Sequence, residues 1–347
     1  MTAETKRDSK RNGLELDDAR ATRNLKHGLI SVVVLIAMAV GLMLAVPSLH
    51  DVEHAILHMG IGWVLFAIGL EVLSCVGYVI CFLFVFDRTP ARFGARVALS
   101  ELAFGAAVAV GGAGSVAVGA WLLIERGAKP GIVAERSAVL FLLTSAINVI
   151  TLALAGFLLW FGVLPGHASV WLSLVPGLVG LFTFFGFLSL PWLADHLIVE
   201  RFHGRVASWT LAISDTIRLT ARLLFSLDWR LLGAVGYLWF DIAVLWVCFK
   251  ALGQTPPLAP LVLAYQIGYL SNLIPIPGGI GVLDGSLVGM FVLYGVNDTR
   301  ATSAIIVYHA IALWVPAIWG SVAFLLLRRS RNEPVKWLPP PLRRNSA

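Results

Sequence analysis

A hydrophobic region near the C-terminal end is interrupted by residues 271–289, SNLIPIPGGIGVLDGSLVG, which contain two prolines, five glycines, an asparagine and an aspartate. Pro275 and Pro277 each remove a backbone donor and restrict the residue before them. The turn glycines allow positive φ and close backbone approach; they are Gly278, Gly279 and Gly281. In hydrocarbon, broken backbone survives only when it is buried in protein or lines a wet cavity. The stretch therefore predicts either a transport site built from half-helix ends or a kink between two helices.

The composition places this stretch in a membrane protein. Of 347 residues, 58% are hydrophobic and 13% are charged, which is typical of a polytopic helical membrane protein. The net charge of +6 comes from basic residues in tails and short loops, so it indicates cytoplasmic membrane flanks and not nucleic-acid binding. The three cysteines lie in apolar runs, where buried thiols are expected.

Apolar runs of spanning length predict an all-α protein with about six full transmembrane helices. They lie at about 28–46, 61–86, 137–163, 170–190, 231–253 and 301–327. Polar tails at 1–27 and 328–347 are expected in the cytoplasm. Residues 191–230 mix five arginines with large apolar residues, which is typical of an amphipathic helix on the cytoplasmic surface.

Two further apolar segments do not fit as full spans. Residues 97–124 have arginines or lysines on both sides, and the positive-inside rule then puts both flanks in the cytoplasm. Residues 258–296 lack basic flanks, so both of their ends can lie outside. We expect two re-entrant hairpins that enter from opposite faces. This topology leaves only Lys250 and Arg300 of the 26 basic residues outside. Two fully crossing segments are the alternative.

The two hairpins suggest an internal repeat. The run Gly111-Gly112-Ala113-Gly114 corresponds to Gly278-Gly279-Ile280-Gly281. Each run follows an apolar arm and precedes a second arm that ends at a glycine, Gly127 or Gly295. The pseudo-repeats would be residues 28–164 and 170–327, with opposite orientation in the membrane. An inverted-topology repeat with matching broken segments is a known arrangement of transporter sites.

The run from Asn272 to Asp284, with its P-x-P-G-G-x-G-x-x-D pattern, resembles the membrane region of the lysylphosphatidylglycerol synthase/flippase family. The resemblance covers about residues 28–327. It implies a multi-pass inner-membrane protein that handles lipids, since some relatives move aminoacylated phosphatidylglycerol between leaflets. Lysyl transfer is not implied, because the chain has no polar block long enough for an aminoacyl-transferase domain. The first hairpin lacks the proline and the acidic residue of the pattern.

Ionisable groups inside apolar spans are costly and mark candidate sites. Asp284 either meets a cation or a proton, or caps the second arm of its hairpin. Glu71 and Asp241 occupy comparable places in repeat-mate spans and line a cavity or bond between helices. The remaining candidates are Glu101 in the first hairpin and His309, whose pairing with Asp284 is possible.

Several other polar residues have both a structural and a functional interpretation. Asn272 is expected to cap or bridge the hairpins. Arg136 and Arg300 begin the spans after the hairpins, where they either bind lipid phosphate or anchor the helix. Three histidines spaced four residues apart would share one face of a helix: His50, His54 and His58. This pattern favours an interfacial helix over a metal site. We expect no cofactor and no metal.

Three functions remain open from the sequence. The first is a translocase that flips a phospholipid or a lipid-linked precursor across the cytoplasmic membrane. The second is a non-catalytic partner of a lipid or envelope-biosynthesis enzyme. The third is a membrane-embedded enzyme on a lipid phosphate or glycosyl lipid, although no ATPase, hydrolase or transferase motif is seen. Membrane lipids are the expected partners in each case.

Overall fold

The computed structural model describes residues 59–107, 113–166, 169–193, 205–253, 255–270, 282–330 and Trp337. Over these residues the chain is helical. The helices are α1 (Ile61–Val85), α2 (Ala91–Ala107), α3 (Ala113–Glu125), α4 (Pro130–Trp160), α5 (Leu174–Leu193), α6 (Arg205–Leu224), α7 (Leu231–Ala251), α8 (Leu258–Tyr269), α9 (Val282–Leu293) and α10 (Asp298–Arg329). A short 3-10 helix, Val170–Leu172, precedes α5.

Within the described ranges, five helical segments are long and apolar enough to cross a membrane: α1, α4, α5 with its preceding 3-10 turn, α7 and α10. They match the predicted spans except at their ends. The helix predicted from 137 begins at Pro130, because proline favours the first helical turn. α5 continues to Leu193, three residues into the predicted amphipathic segment 191–230. α6 lies within that segment. The predicted first span, 28–46, lies outside the described residues.

The remaining apolar helices are short arms. α8 and α9 contain 12 residues each, about 18 Å at 1.5 Å per residue, whereas a bilayer core is roughly 30 Å thick. α2 and α3 form the corresponding pair in the first half, and α2 begins six residues before the predicted start at 97. The second arm of each pair ends at a glycine, as predicted. Both glycines have a positive φ, +91° at Gly127 and +84° at Gly295.

One end of the bundle gathers basic side chains, and we call it the basic end. Arg126 after α3 lies over the Phe93 ring of α2, 5.5 Å from its centroid. It also donates to the Leu327 carbonyl of α10 at 3.0 Å. Arg230 before α7 lies 4.9 Å from the ring centroid of Phe84 in α1. The start of α2 and the end of α3 therefore lie together at this end.

The other ends of the helices meet in a second group, which we call the opposite end. Gly166, after α4, packs against the Pro260 ring of α8, which a Cβ at position 166 would approach to 3.0 Å. The Tyr294 hydroxyl after α9 donates to the Leu172 carbonyl at 2.6 Å. α8 therefore begins, and α9 finishes, beside Gly166 and Leu172 at this end.

α1 and α7 form the central helix pair. Gly77 and Gly233 face each other so closely that a Cβ at either position would come within 2.6–2.8 Å of the partner helix backbone. The Ser74 hydroxyl donates to the Tyr237 carbonyl at 2.8 Å across the same contact. Small residues at a crossing let helix backbones approach in this way. The close approach brings acids in the middle of both helices together.

Candidate functional site

Asp241, in the middle of α7, is the centre of a polar cluster. The Tyr308 hydroxyl of α10 donates to its two carboxylate oxygens at 2.9 and 3.1 Å, and the Tyr265 hydroxyl of α8 donates to Oδ2. Tyr308 also shares a hydrogen bond with Tyr269, whose ring stacks on Tyr265 with centroids 4.4 Å apart. Two helices, α8 and α10, therefore direct phenol groups to one carboxylate on α7.

Glu71 of α1 brings a second carboxyl group to this cluster. Its carboxyl lies within hydrogen-bonding reach of Asp241. The Cys75 thiol lies 4.0 Å from Oε1, and Oε2 has no hydrogen-bond partner among the described residues. Glu71 is only 5% exposed. The structure thus brings the predicted pair of acids together. We call Glu71, Asp241, Tyr265, Tyr269 and Tyr308 the acid–tyrosine cluster.

Asp284 and His309 form a second polar pair beside this cluster. The Asp284 Oδ1 atom lies 2.7 Å from His309 Nδ1, and the side chains are 24% and 16% exposed, respectively. Asp284 also lies in the first turn of α9, so both interpretations of this residue from the sequence fit its position. His309 follows Tyr308 in α10 and lies close enough to Asp241 to act on its charge. The polar groups therefore extend from α1 to α9.

α8 and α9, which lie on either side of the predicted motif in the sequence, both contribute to this site. Tyr269 is in the last turn of α8, and Asp284 is in the first turn of α9. Ser286 donates to the Gly268 carbonyl at 2.8 Å, and Leu287 packs against Gly268, so the two arms are held together there. The predicted motif residues Asn272, Pro275, Pro277, Gly278, Gly279 and Gly281 lie outside the described residues.

Glu101 is placed apart from Asp241, between the arms of the first hairpin. It accepts a hydrogen bond from the Tyr78 hydroxyl of α1 at 3.1 Å and is 2% exposed. Its carboxyl group lies where a Cβ on Gly119 of α3 would stand. Tyr78 contacts Tyr237 of α7, with ring centroids 5.1 Å apart. Gly111 and Gly112 lie outside the described residues, and Gly114 is in the first turn of α3.

The two candidate arginines do not join the acid–tyrosine cluster. Arg136 donates to the Val85 carbonyl at 2.9 Å and lies 3.8 Å from Asp87, so it fixes the end of α1 to the start of α4. Arg300 is exposed in the first turn of α10, where its backbone N–H donates to the capping Asn297 side chain. The contacts of Arg136 are of the anchoring kind considered from the sequence, and binding of lipid phosphate by Arg136 or Arg300 stays a prediction.

The sequence did not show which tyrosines surround Asp241, namely Tyr265, Tyr269 and Tyr308. A tyrosine in an apolar run is usually a core aromatic, and its hydroxyl partner lies on another helix. Two signals were present: the four-residue spacing of Tyr265 and Tyr269, and the position of Tyr308 beside His309. Among the described residues, no group of three His, Cys, Asp or Glu side chains is suited to hold a metal ion. The predicted histidine face at 50–58 lies outside them.

The arrangement is suited to proton exchange and to contact with a polar headgroup. It combines three acids, a histidine and phenol groups packed among apolar helices, and the His309–Asp284 pair is partly exposed. Such groups at membrane depth usually mark a substrate or ion path.

Comparison with known proteins gives the family. Residues 28–320 match the model of the lysylphosphatidylglycerol synthase TM region. A stretch of 91 residues is 35% identical to a UPF0104 membrane protein of Methanothermobacter thermautotrophicus. That stretch covers 26% of this chain and 26% of the relative, about a quarter of the length of each. The family match extends over most of the chain and agrees with the apolar helices. The chain is a multi-pass membrane protein that belongs to the lysylphosphatidylglycerol synthase TM region family.

Proposed function

We propose that this protein translocates a phospholipid or a lipid-linked precursor between the leaflets of the cytoplasmic membrane. The observation that carries the proposal is the acid–tyrosine cluster with its neighbouring Asp284–His309 pair, packed among apolar helices. Burying so many polar groups among apolar helices is costly, and a path for a polar headgroup explains why they are there. The family's name is consistent with a role at lipids.

The short arms support the re-entrant layout predicted from the sequence. α8 and α9 are each too short to cross the bilayer; α8 begins at the opposite end and α9 finishes there. α2 begins at the basic end, and α3 finishes there. In the proposed topology the basic end is cytoplasmic, as are both chain termini. The two hairpins then enter from opposite faces, and residues 28–46 provide the sixth span.

Corresponding contacts support the inverted repeat. In the repeat, α1, α2, α3 and α4 correspond to α7, α8, α9 and α10. α2 packs on α10 as α8 packs on α4, and α1 packs on α10 as α7 packs on α4. The mates α1 and α7 pack on each other at Gly77 and Gly233. Such pseudo-symmetry places a transporter's site at the repeat interface.

The second hairpin provides the most direct route for a headgroup. The N-terminal end of a helix favours a phosphate, and Asp284 in the first turn of α9 faces His309. In this proposal the headgroup moves past the Asp284–His309 pair while the acyl or prenyl chains stay in lipid. No ATP-binding motif was found, so the movement is downhill or coupled to an ion.

The test is leaflet exchange in proteoliposomes. The probes are headgroup-labelled phosphatidylglycerol, an aminoacylated phosphatidylglycerol and a polyprenyl phosphate, each offered separately. We expect the protein to accelerate exchange of one class. Asp284→Asn and His309→Gln should slow it about 10- to 100-fold, the equivalent of losing one charged hydrogen bond of roughly 1.5–3 kcal/mol.

Asp298→Asn is the matched control, because Asp298 is an exposed acid in the first turn of α10, away from the cluster. It should exchange lipid at the unmodified rate. Unchanged exchange of all three probes by the folded protein would contradict a translocase for these lipids. Stable co-purification with an envelope-biosynthesis enzyme would then support the partner role.

A further inference from the structure

The contact between Glu71 and Asp241 needs a proton. The two carboxyl groups lie within hydrogen-bonding reach of each other, yet an ionised carboxylate only accepts hydrogen bonds. Two facing carboxylates therefore have no donor between them, and like charges at this distance repel. A proton on one carboxyl supplies the donor and removes one of the two charges.

The neighbouring hydroxyls indicate which acid is the anion. Asp241 accepts from both Tyr265 and Tyr308, and hydrogen bonds donated to a carboxylate stabilise its ionised form. Glu71 has no such donor: its Oε2 atom is buried without a partner among the described residues, and the Cys75 thiol lies at 4.0 Å from Oε1. A buried carboxylate oxygen without a donor is costly, whereas the carbonyl oxygen of a protonated carboxyl is much less so.

The other titratable groups around the pair do not replace this proton. α1 adds Cys75, α7 adds Tyr237 and Cys248, α8 adds Tyr265 and Tyr269, α10 adds Tyr308 and His309, and α9 adds Asp284. Among these, His309 is the group that can become cationic, and Asp284 faces it at 2.7 Å. One imidazolium cannot balance three carboxylates.

We propose that Glu71 and Asp241 bind one exchangeable proton and that lipid translocation is coupled to its movement. The coupling rests on the proposed translocase function, but the proton site does not. The His309–Asp284 pair is the expected point of exchange with the substrate path, since it is more exposed than Glu71, at 16% and 24% against 5%. The coupled species in this proposal is a proton, because the contact between the two carboxyl groups itself requires one.

The proton site is tested by infrared spectroscopy of the full-length protein in lipid vesicles. A protonated carboxyl group has a carbonyl stretch that a carboxylate lacks. We expect this band at neutral pH, its shift in heavy water, and its disappearance on titration to high pH. Glu71→Gln should remove the part of the carbonyl band that comes from Glu71. Asp215→Asn is the control and should retain that part, because the Asp215 side chain is 72% exposed and outside the pair.

A second variant guards against misfolding. Asp241→Asn keeps the shape of the side chain and one oxygen that can accept from Tyr265 or Tyr308, so it should fold. In this variant the Glu71 band should change frequency, because Glu71 now meets an amide. A protein with no Glu71-dependent band at neutral pH, or with the same band frequency in Asp241→Asn, overturns the proton site.

Coupling is tested in the proteoliposome assay with a pH gradient imposed across the membrane. Exchange of the accelerated lipid should become directional, with a several-fold difference between the two gradient orientations, and Glu71→Gln should abolish that difference. Gradient-independent exchange overturns the coupling while the proposed function stands. A Glu71-dependent infrared band without exchange of any probe leaves the proton site and overturns the translocase.

Discussion

Arg230, at the start of α7, is held by several hydrogen bonds to Asp228. The Asp228 carboxylate accepts hydrogen bonds from the Arg230 backbone N–H at 2.9 Å, from Nε at 3.0 Å and from Nη2 at 2.7 Å. The hydrogen bonds from Arg230 hold the pKa of Asp228 below its ordinary value. The oriented guanidinium in turn lies over Phe84. A loop acid thereby fixes the contact between the start of α7 and the end of α1.

This lowered pKa predicts a dependence of stability on pH. The contribution of Asp228 is present above its ordinary pKa and is lost as pH falls through the lowered, folded-state value. We expect Asp228→Asn to lower the free energy of unfolding by up to about 1 kcal/mol at neutral pH, as for a partly exposed ion pair. The difference from the unmodified protein should vanish in acid. Thermal unfolding in detergent at neutral and acid pH measures both.

Asp215→Asn is the control, because Asp215 pairs with Arg218 on an exposed helix surface and its side chain is 72% exposed. It should leave the unfolding temperature almost unchanged at neutral pH. If both variants lower the unfolding temperature equally at neutral pH, the contacts between Asp228 and Arg230 stabilise the protein no more than an ordinary surface ion pair does.

For single residues, the sequence indicated the buried acids better than the side chains that hydrogen-bond to them. Glu71 and Asp241 stand out because a carboxyl group is rare in an apolar span. Their matching positions in the two predicted halves suggested that they line a cavity or bond to another helix, but did not predict their contact with each other. Tyr265 and Tyr308 look like core aromatics, since nothing local to a tyrosine shows which helix supplies its acceptor. Arg136 was ambiguous for the same reason: its acceptor, Val85, is 51 residues away.

The element-scale contact that positions the site is the crossing of α1 and α7. Gly77→Ala should weaken it, because the added Cβ would stand 2.6 Å from the Tyr237 nitrogen and 2.8 Å from the Gly233 carbonyl oxygen. Backbone atoms cannot give way as a flexible side chain can, so the helices must separate. Overpacking of this kind typically costs about 1–3 kcal/mol. We expect a lower unfolding temperature in detergent and a disturbed Glu71–Asp241 contact.

Gly69→Ala is the matched control in the same helix. No atom outside its own neighbourhood lies within 4 Å of the Cβ that this change would add. It should be neutral or slightly stabilising, since alanine favours helix more than glycine does. If both variants unfold alike, helix propensity and not the crossing determines the effect.

The spans were predictable as elements because their length and apolar character are local properties of the chain. Their ends were less so. Basic residues suggested that α4 starts near Arg136, but Pro130 starts it one to two turns earlier. The glycines that end α3 and α9 were recognised because positive φ favours glycine. The close approach of α2 and α10 at Gly320 and Leu99 was not predicted, since it depends on how distant helices pack.

For the whole molecule, charge distribution and helix length lead to the same proposed topology by independent routes. The positive-inside rule uses the arginines and lysines, whereas the hairpins follow from arms too short to cross and from ends that return to one side. A molecule with two fully crossing segments would keep both termini on the cytoplasmic side. The part of the chain between the two segments would be reversed in the membrane, so its loops at the basic end and at the opposite end would exchange sides.

Cysteine labelling in intact cells distinguishes these topologies. The sites are Val163→Cys at the opposite end, with Val163 66% exposed, and Leu227→Cys at the basic end, with Leu227 95% exposed. Each is introduced singly, and the native Cys75, Cys81 and Cys248 are buried and should react little. We expect a membrane-impermeant maleimide to label Val163→Cys from outside. Leu227→Cys should react only after permeabilisation. The reverse pattern would contradict both the re-entrant hairpins and the inverted repeat, and would require α8 and α9 to extend through the motif into one crossing segment.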